Sequence, residues 1–416
     1  MRVIHLLRKL DPAEWGGTET AILRLCDGLR EHGVKPVVYR PRLEREPESD
    51  PLQNSGCEVN RYHAFVPVLG LSRERKRQLV AVGGNLMSFE LVTSLIREEE
   101  VAILHSHALG RIGGIALTVA KQRGIPFVVS IHGGVLDLPD TIKKNINSTA
   151  EQGWEWGKFF GLLFQSHRLF VDADAIITCN ENEAALLRER HPQKRIVVQS
   201  HGVPVPLYQM DQRETALTAF PQLRGRSVLL CMGRIDPFKN QAWLLEQAPE
   251  ILRRHPELML VMAGPCTDEP YGTLVDRTIR ELELKDRVLL TGALPPNDPR
   301  LIGLLQTATA VVLPSVSETF GLILLESWAA GTPILSSRTS GASALVKHGE
   351  NGWLFDLERP ETFHAVLDRT WANPKEAAEM AAQGLELVQR EYSVSAVAGR
   401  MKKIYEQVIE EKQCAT

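Results

Sequence analysis

The sequence predicts an α/β protein of two domains, each a doubly wound parallel sheet with helices on both faces. Three observations predict it. The 416 residues exceed what one hydrophobic core usually organises. Short apolar, β-branched runs alternate with helical periodicity along the whole chain, the pattern of strands buried on both faces by crossover helices. The rhythm breaks once, at Gly202-Val203-Pro204-Val205-Pro206 and the polar stretch up to Pro221, and then restarts, which places the hinge there. The expected domains are 1–205 and 206–390, followed by a terminal helical segment at 391–416.

In chain order, strands are expected at residues 3–7, 36–39, 101–105, 127–131, 175–178 and 196–199 in the first half. The second series is 228–232, 258–263, 288–291, 310–313 and 333–336. Each run is short and apolar, as suits a buried strand rather than a helix. Residues 320–330 are periodic and stopped by Gly331-Thr332-Pro333, as suits a helix. Helical stretches at 374–390 and 393–412 close the chain. One connection is too long for a tight α/β turn: residues 135–170 carry Trp154, Trp156, Phe159, Phe160 and Phe164, and long connections are often functional.

Composition excludes several roles. Lysine and arginine number 48 against 51 acids, a net charge of −3, so no long-range field argues for a nucleic-acid partner. The six cysteines are scattered, with no Cys-x-x-Cys pair, and read as reduced thiols of a cytosolic protein. Residues 1–7 are too short an apolar run, too soon followed by Arg8, Lys9 and Asp11, for a signal peptide. No stretch reaches the roughly 18 apolar residues of a membrane-spanning helix, so a cytoplasmic location is expected.

The chemistry gathers at the predicted strand ends of the second half. Glu318 and Glu326 stand eight positions apart across Thr319, Phe320, Gly321 and Leu322, with Glu318 in a loop and Glu326 inside the expected helix. At about 1.5 Å of rise per residue the interval spans roughly 12 Å, the length of a nucleoside diphosphate sugar from ribose to hexose. Each carboxylate can accept hydrogen bonds from one sugar's hydroxyls. The free N–H groups and dipole of the helix start suit the pyrophosphate between them. Gly233-Arg234-Ile235-Asp236-Pro237-Phe238-Lys239-Asn240 follows the first strand of the second domain, where ligands of open α/β sheets collect. Arg234 and Lys239 can reach one diphosphate, the former as a planar fork and the latter as a point charge, and stabilise its charge as the sugar departs. Gly16-Gly17, after the first strand, permits close backbone approach to a ligand. His132, His105 and His107 all end strands. Neither His105 nor His107 has an acidic or cysteine partner at metal spacing, so they read as structural or acceptor-side rather than as zinc ligands.

Taken together, Pro314-Ser315, Glu318-Thr319-Phe320-Gly321-Leu322 and Glu326, with Gly233-Arg234 and Lys239, resemble the donor site of the family-four retaining glycosyltransferases, the glycosyl transferases group 1. The resemblance covers nearly the whole chain, with its specific motifs between residues 230 and 355. It implies the GT-B fold: two Rossmann-like domains facing a cleft that closes on the donor, with the terminal helix packed back on the first domain. It implies an enzyme moving a hexose from a nucleoside diphosphate sugar to a hydroxyl acceptor, a sugar, glycan or lipid-linked glycan, with retention at the anomeric carbon.

The same resemblance distributes roles. Glu318 would orient the hexose 3- and 4-hydroxyls, Glu326 the ribose, Arg234 and Lys239 the diphosphate, and His132 the hexose near its C6 hydroxyl. Gly16 and Gly17 would face the diphosphate and the acceptor. Gly233, Thr319, Phe320, Gly321, Leu322 and Leu294 would hold the donor, and the loops Ala263-Gly264-Pro265 and Thr291-Gly292-Ala293-Leu294 would contact phosphate and base through main chain. No carboxylate is expected beneath the anomeric carbon as a nucleophile. A front-face route, in which the leaving phosphate takes the acceptor's proton, is implied instead. The donor is expected to be UDP- or GDP-linked, with no cofactor and no metal, because paired cations take the metal's place and no Asp-x-Asp stands in the cleft loops.

For the acceptor, Trp154 and Trp156 can stack on a sugar, and residues 158–171 form an amphipathic pattern able to touch a membrane surface peripherally. Two stretches depart from the family pattern: Glu326-Ser327-Trp328-Ala329 where Glu-Ala-Met-Ala is common, and His201-Gly202-Val203-Pro204 where Asn-Gly-Val-Asp is usual. The alternatives are a sugar-nucleotide epimerase of the same fold and a non-catalytic donor-binding protein. A nicotinamide-dependent oxidoreductase is excluded, because neither half opens with Gly-x-Gly-x-x-Gly.

Overall fold

The computed structural model describes residues 1–9, 16–43, 46, 50–81, 86–132 and 154–415. The chain forms two compact units: Met1–Gly202 with Val394–Thr416, and Val203–Ser393.

In the first unit the strands are β1 (Arg2–Leu6), β2 (Lys35–Pro41), β3 (Glu58–Tyr62), β4 (Val68–Leu69), β5 (Val101–Ser106), β6 (Phe127–Ile131), β7 (Trp154–Glu155), β8 (Ala175–Thr178) and β9 (Ile196–Val198). Seven of them make one sheet in the order β3-β2-β1-β5-β6-β8-β9, every pair parallel. The order doubles back at β1 and β5, so helices must cover both faces, and the central strands are apolar on both sides as a result. The strands β4 and β7 form a separate antiparallel pair. One face of the sheet packs Ile4, Leu104 and Val129 against Ile112, Ile115 and Ala116 of the helix Gly110–Arg123. On the other, Val3, Ile103 and Val128 meet Met401, Tyr405 and Val408 of the terminal helix Val394–Ala415. That helix also packs closely on the helix Gly17–Glu31, where a Cβ on Gly28 would lie 2.7 Å from the Ala398 Cβ.

The second unit carries β10 (Ser227–Met232), β11 (Leu258–Ala263), β12 (Val288–Gly292), β13 (Ala310–Leu313), β14 (Ile334–Ser337) and β15 (Trp353–Phe355). They form a parallel sheet in the order β12-β11-β10-β13-β14-β15, with the reversal between β10 and β13. Its core joins Leu229, Leu260 and Val312 to Leu244, Leu245 and Phe363 from the flanking helices.

Three expectations need correction. The helix after β13 is Leu322–Ala329, two residues later than its periodicity suggests, because Gly321 takes a left-handed turn at φ 87° just before it. Glu318 and Glu326 are therefore not separated by helical rise alone. The pattern at 158–171 is not one amphipathic helix but a short helix Lys158–Leu163, a turn Ser166–Arg168 and a second short helix Leu169–Asp172. Gln165 breaks it with a φ of 53°. Finally, β3, β4, β7 and β15 are strands beyond those the sequence predicts.

Candidate active site

In the second unit the loops after β10, β11 and β12 are laced by main-chain hydrogen bonds. The N–H of Gly233 donates to Ala263 O at 2.9 Å, that of Gly264 to Gly292 O at 3.1 Å, and that of Ile235 to Pro265 O at 2.8 Å. Gly264 has a φ of 153°, and a Cβ there would stand 2.1 Å from the Gly233 carbonyl oxygen. Only glycine fits so close to the backbone that introduces Arg234.

Asp236 then organises the turn. Its carboxylate accepts from the N–H groups of Phe238 and Lys239, both at 3.0 Å, and stands 3.1 Å from the Arg234 guanidinium. Arg234 nevertheless leaves half its side chain exposed, at 49%. Lys239 turns inward and pairs directly with Glu318, the two side chains being 16% and 18% exposed. The structure thus brings Arg234, Lys239 and Glu318 to one end of one sheet.

The Glu318 loop is held from both sides. The N–H of Val316 donates to Phe238 O at 2.8 Å, and that of Gly341 to Glu318 O at 2.7 Å. Ser337 Oγ donates to Ser315 O at 2.6 Å. A Cβ on Gly341 would lie 2.6 Å from Glu318 O, so the helix Ser340–Leu345 packs directly on this loop. Thr319 is half-buried and Phe320 buried, while Gly321 ends the loop and Leu322 opens the helix. Glu326 lies one turn further and is buried, at 7% exposure. Leu294 sits half-buried in the loop after β12. The helix's unusual Trp328 is fully buried, donates Nε1–H to Asn351 O at 2.8 Å, and lies flush on Gly384.

In the first unit, Gly16 precedes the helix Gly17–Glu31 and its N–H donates to the Glu19 carboxylate at 3.1 Å; Asp11 to Trp15 lie outside the described residues. His132 directly follows β6 and stacks on His201, with centroids 5.3 Å apart. Both line a small pocket with His107, Ser130, Thr178 and Gln199. Burial, aided by the Arg8 charge, pulls the His132 pKa down to about 4, and burial holds His201 well below the ordinary imidazole range. These rings are neutral at pH 7.

Trp156 stacks on Phe65 at 6.1 Å and meets Phe160 edge-on at 5.7 Å, within an aromatic cluster beside the core. Trp154 lies on β7 opposite Leu69.

Among the described residues, nitrogens of the buried His5, His105 and His107 lie within 4.8 Å of one another. All of their nitrogens but His5 Nε2 are already engaged. His105 meets Tyr405 Oη at 2.6 Å and Ser130 Oγ at 2.7 Å, and His107 meets His5 at 2.9 Å and His132 at 2.8 Å. A metal would have to break that set.

The comparisons with known proteins match both units. Residues 15–205 match the family described as Glycosyltransferase Family 4, and residues 214–386 match Glycosyl transferases group 1. A D-inositol 3-phosphate glycosyltransferase of Nocardiopsis dassonvillei is 30% identical over 384 residues, 88% of this chain and 84% of the relative. The chain belongs to the group 1 glycosyltransferases.

This group 1 glycosyltransferase is also 26% identical over 412 residues to a D-inositol 3-phosphate glycosyltransferase of Thermobispora bispora, covering 95% of this chain and 90% of that one. Among solved structures, Anabaena HepE in complex with UDP and glucose has a TM-score of 0.74 at 14% identity, covering 98% of this chain and 100% of that chain. Sucrose-phosphate synthase from Thermosynechococcus elongatus has a TM-score of 0.72 at 19% identity, with 99% of each chain covered. These likenesses fix the fold as GT-B.

Sequence reasoning missed Asp236 and His5. Asp236 stood in the quoted motif as an unassigned acid, although an Asp two and three residues before two N–H groups is a turn-capping signal. His5 looked like one polar residue in an apolar strand.

Proposed function

We propose that this chain is a retaining glycosyltransferase that moves a hexose from a nucleoside diphosphate sugar to a hydroxyl acceptor. The observation that carries the reading is the gathering of Arg234, Lys239 and Glu318 at one end of the second sheet, beside the start of the helix Leu322–Ala329. Two cations and the positive end of a helix suit a diphosphate, and the carboxylate suits vicinal sugar hydroxyls.

In this reading Arg234 and Lys239 hold the diphosphate, with Gly233, Thr319, Phe320, Gly321, Leu322 and Leu294 lining the donor. Glu318 orients the hexose, Glu326 the ribose and His132 the hexose, while Gly16 and Gly17 approach the phosphates. The acceptor oxygen attacks the anomeric carbon on the face the phosphate leaves. The C–O bond to phosphate breaks as the new C–O bond forms, and the acceptor's proton passes to the departing phosphate oxygen. The cations stabilise the charge that grows there.

The UDP bound in HepE favours a UDP-linked donor, and the relatives' names favour a phosphorylated polyol as the first acceptor to try. No metal is needed in this scheme, so excess EDTA should leave turnover intact; abolished turnover would reject it. Trp156 belongs to the acceptor side. Phe159, Leu162 and Leu163, all more than half exposed, offer a peripheral contact with a membrane surface, which co-sedimentation with anionic vesicles would test. Among the described residues no helix is long and apolar enough to cross a membrane.

The test of the whole reading is a thermal-shift panel of UDP, GDP, ADP and dTDP with their hexose derivatives. A ligand at a hundredfold its Kd adds about 2.7 kcal/mol. A shift confined to one nucleotide series supports the reading, and no shift with any rejects it. NMR of the product's anomeric proton then decides retention.

A further inference from the structure

Three imidazoles in the first unit, the buried His5 and His107 and the half-buried His132, form an unbranched hydrogen-bonded chain. Nδ1 of His5 meets Nε2 of His107 at 2.9 Å, and Nδ1 of His107 meets Nε2 of His132 at 2.8 Å. The register explains the assembly. His5 on β1 lies opposite His105 on β5, which places His107 just beyond the strand's end, stacked on His5 at 5.3 Å and on His132 at 5.0 Å. The side branch is closed, because His105 bonds to Tyr405 and Ser130 instead.

A neutral imidazole carries one N–H and one lone pair. Burial keeps His5, His107 and His132 neutral, drawing His5 down to about 3 and His107 well below the ordinary range. His107 therefore donates to one neighbour and accepts from the other, and the whole chain has only two arrangements. Either both protons point toward His132, or both point toward His5.

The two ends decide between them. His5 Nε2 and His132 Nδ1 are buried atoms with no hydrogen-bond partner among the described residues. His5 is fully enclosed in the core, whereas the His132 ring lines the pocket. An N–H stranded in the core is the rarer defect, while an unpaired acceptor is met somewhat more often. The proton belongs at the other end, on the ring that borders the pocket.

We propose that His107 is a positioning residue that fixes His132 as its Nδ1–H tautomer, with His5 donating from behind. His5 Nδ1–H donates to His107 Nε2, His107 Nδ1–H donates to His132 Nε2, and His132 is left as a donor through Nδ1. The catalytic value of this arrangement rests on the role proposed for His132 toward the hexose, since a fixed donor recognises a hydroxyl or ring oxygen in one orientation. The tautomer itself does not depend on that role.

The test is ring-15N NMR of the full chain with labelled histidine, the His132 signals being assigned by their loss in His132→Ala. Wild-type His132 should show the Nδ1–H tautomer; the Nε2–H tautomer overturns the proposal outright. His5→Phe, remote from the pocket, and His107→Phe should each convert His132 to a mixture of tautomers. His107→Asn, whose amide can still donate to His132, should restore Nδ1–H at least in part. An unchanged His132 tautomer in both phenylalanine variants also overturns it, and His5→Phe carries this arm if His107→Phe does not fold.

In turnover, His107→Phe should lower kcat/KM for the sugar nucleotide about tenfold, leave the Kd of the free nucleoside diphosphate unchanged, and be relieved by His107→Asn. Equal loss of both, without relief by Asn, marks a merely structural His107 and rejects the positioning role. Should His132→Ala turn over normally, the role of His132 toward the hexose falls, while the spectra still decide the tautomer.

Discussion

Replacing Glu318 by Gln should move two affinities in opposite directions. Without ligand, Lys239 is paired with Glu318, both less than one-fifth exposed, so a diphosphate must take Lys239 from that carboxylate. A hydrogen bond to a charged group contributes about 1.5–3 kcal/mol. Glutamine keeps the shape and an oxygen acceptor but not the charge, so about half of this returns to the incoming diphosphate, roughly 1 kcal/mol or about a fivefold tighter Kd. The hexose loses its charged acceptor at the same time, and kcat/KM for the sugar nucleotide should fall about 10- to 100-fold. Isothermal titration with the nucleoside diphosphate and initial rates with the sugar nucleotide measure the two. If diphosphate affinity falls together with turnover, Glu318 serves only to hold Lys239 in place, and the assignment of Glu318 to the sugar is refuted.

Other perturbations follow from the packing and the buried histidines. Gly264→Ala would push a Cβ to 2.1 Å from Gly233 O, so it should displace the turn carrying Arg234 and weaken nucleotide binding at least tenfold by titration. Gly384→Ala would set a Cβ 2.1 Å from Trp328 Cδ1, and such overpacking costs about 1–3 kcal/mol. A lower Tm that recovers in Gly384→Ala/Trp328→Met confirms the pairing; additive losses deny it. Burial depresses His132 to about 4 and His5 to about 3, so below the free-imidazole pKa of about 6.5 the unfolded chain binds more protons than the folded one. Stability should be full above pH 6.5 and fall as the pH drops toward 4, by up to about 3 kcal/mol for His132. Urea titrations at pH 7.5 and 5 check this, and an acid limb no shallower in His5→Phe would show that His5 is not among its causes.

Most of the second sheet was legible because its strands are apolar on both sides. Val228 to Met232 and Leu258 to Ala263 are continuous hydrophobic runs with loop residues at their ends. The strand β3 was not, because Glu-Val-Asn-Arg-Tyr lies at a sheet edge, only half-buried, and its polar residues hide the alternation. A strand of three residues such as β15 has too little sequence to show a period. The break at Gln165 follows from backbone conformation that its side chain does not announce.

The candidate site divides the same way. Arg234, Lys239 and Glu318 announce themselves as charged residues beside glycines at strand ends. The histidine chain needs the register of β1 against β5 and the turn of β6 toward them, a fact about three segments that no local window contains. The two departures from the family pattern became intelligible only through contact. Trp328 has Gly384 beneath it, and His201 has His132 beside it.

The first unit is assembled from two separated pieces of chain, and this sets an order on its biosynthesis. On the ribosome the segment up to Gly202 emerges first, yet Val3, Ile103 and Val128 lack much of their cover on one face until Met401, Tyr405 and Val408 arrive. Val203–Ser393, continuous in sequence, can close its own core before that. The first-made half is thus the last to be completed, and it waits with an apolar sheet face and His105 lacking its Tyr405 partner. A premature stop between residues 394 and 400 would release a chain whose second unit is whole and whose first is open, a product for chaperones and proteases rather than a half-active enzyme.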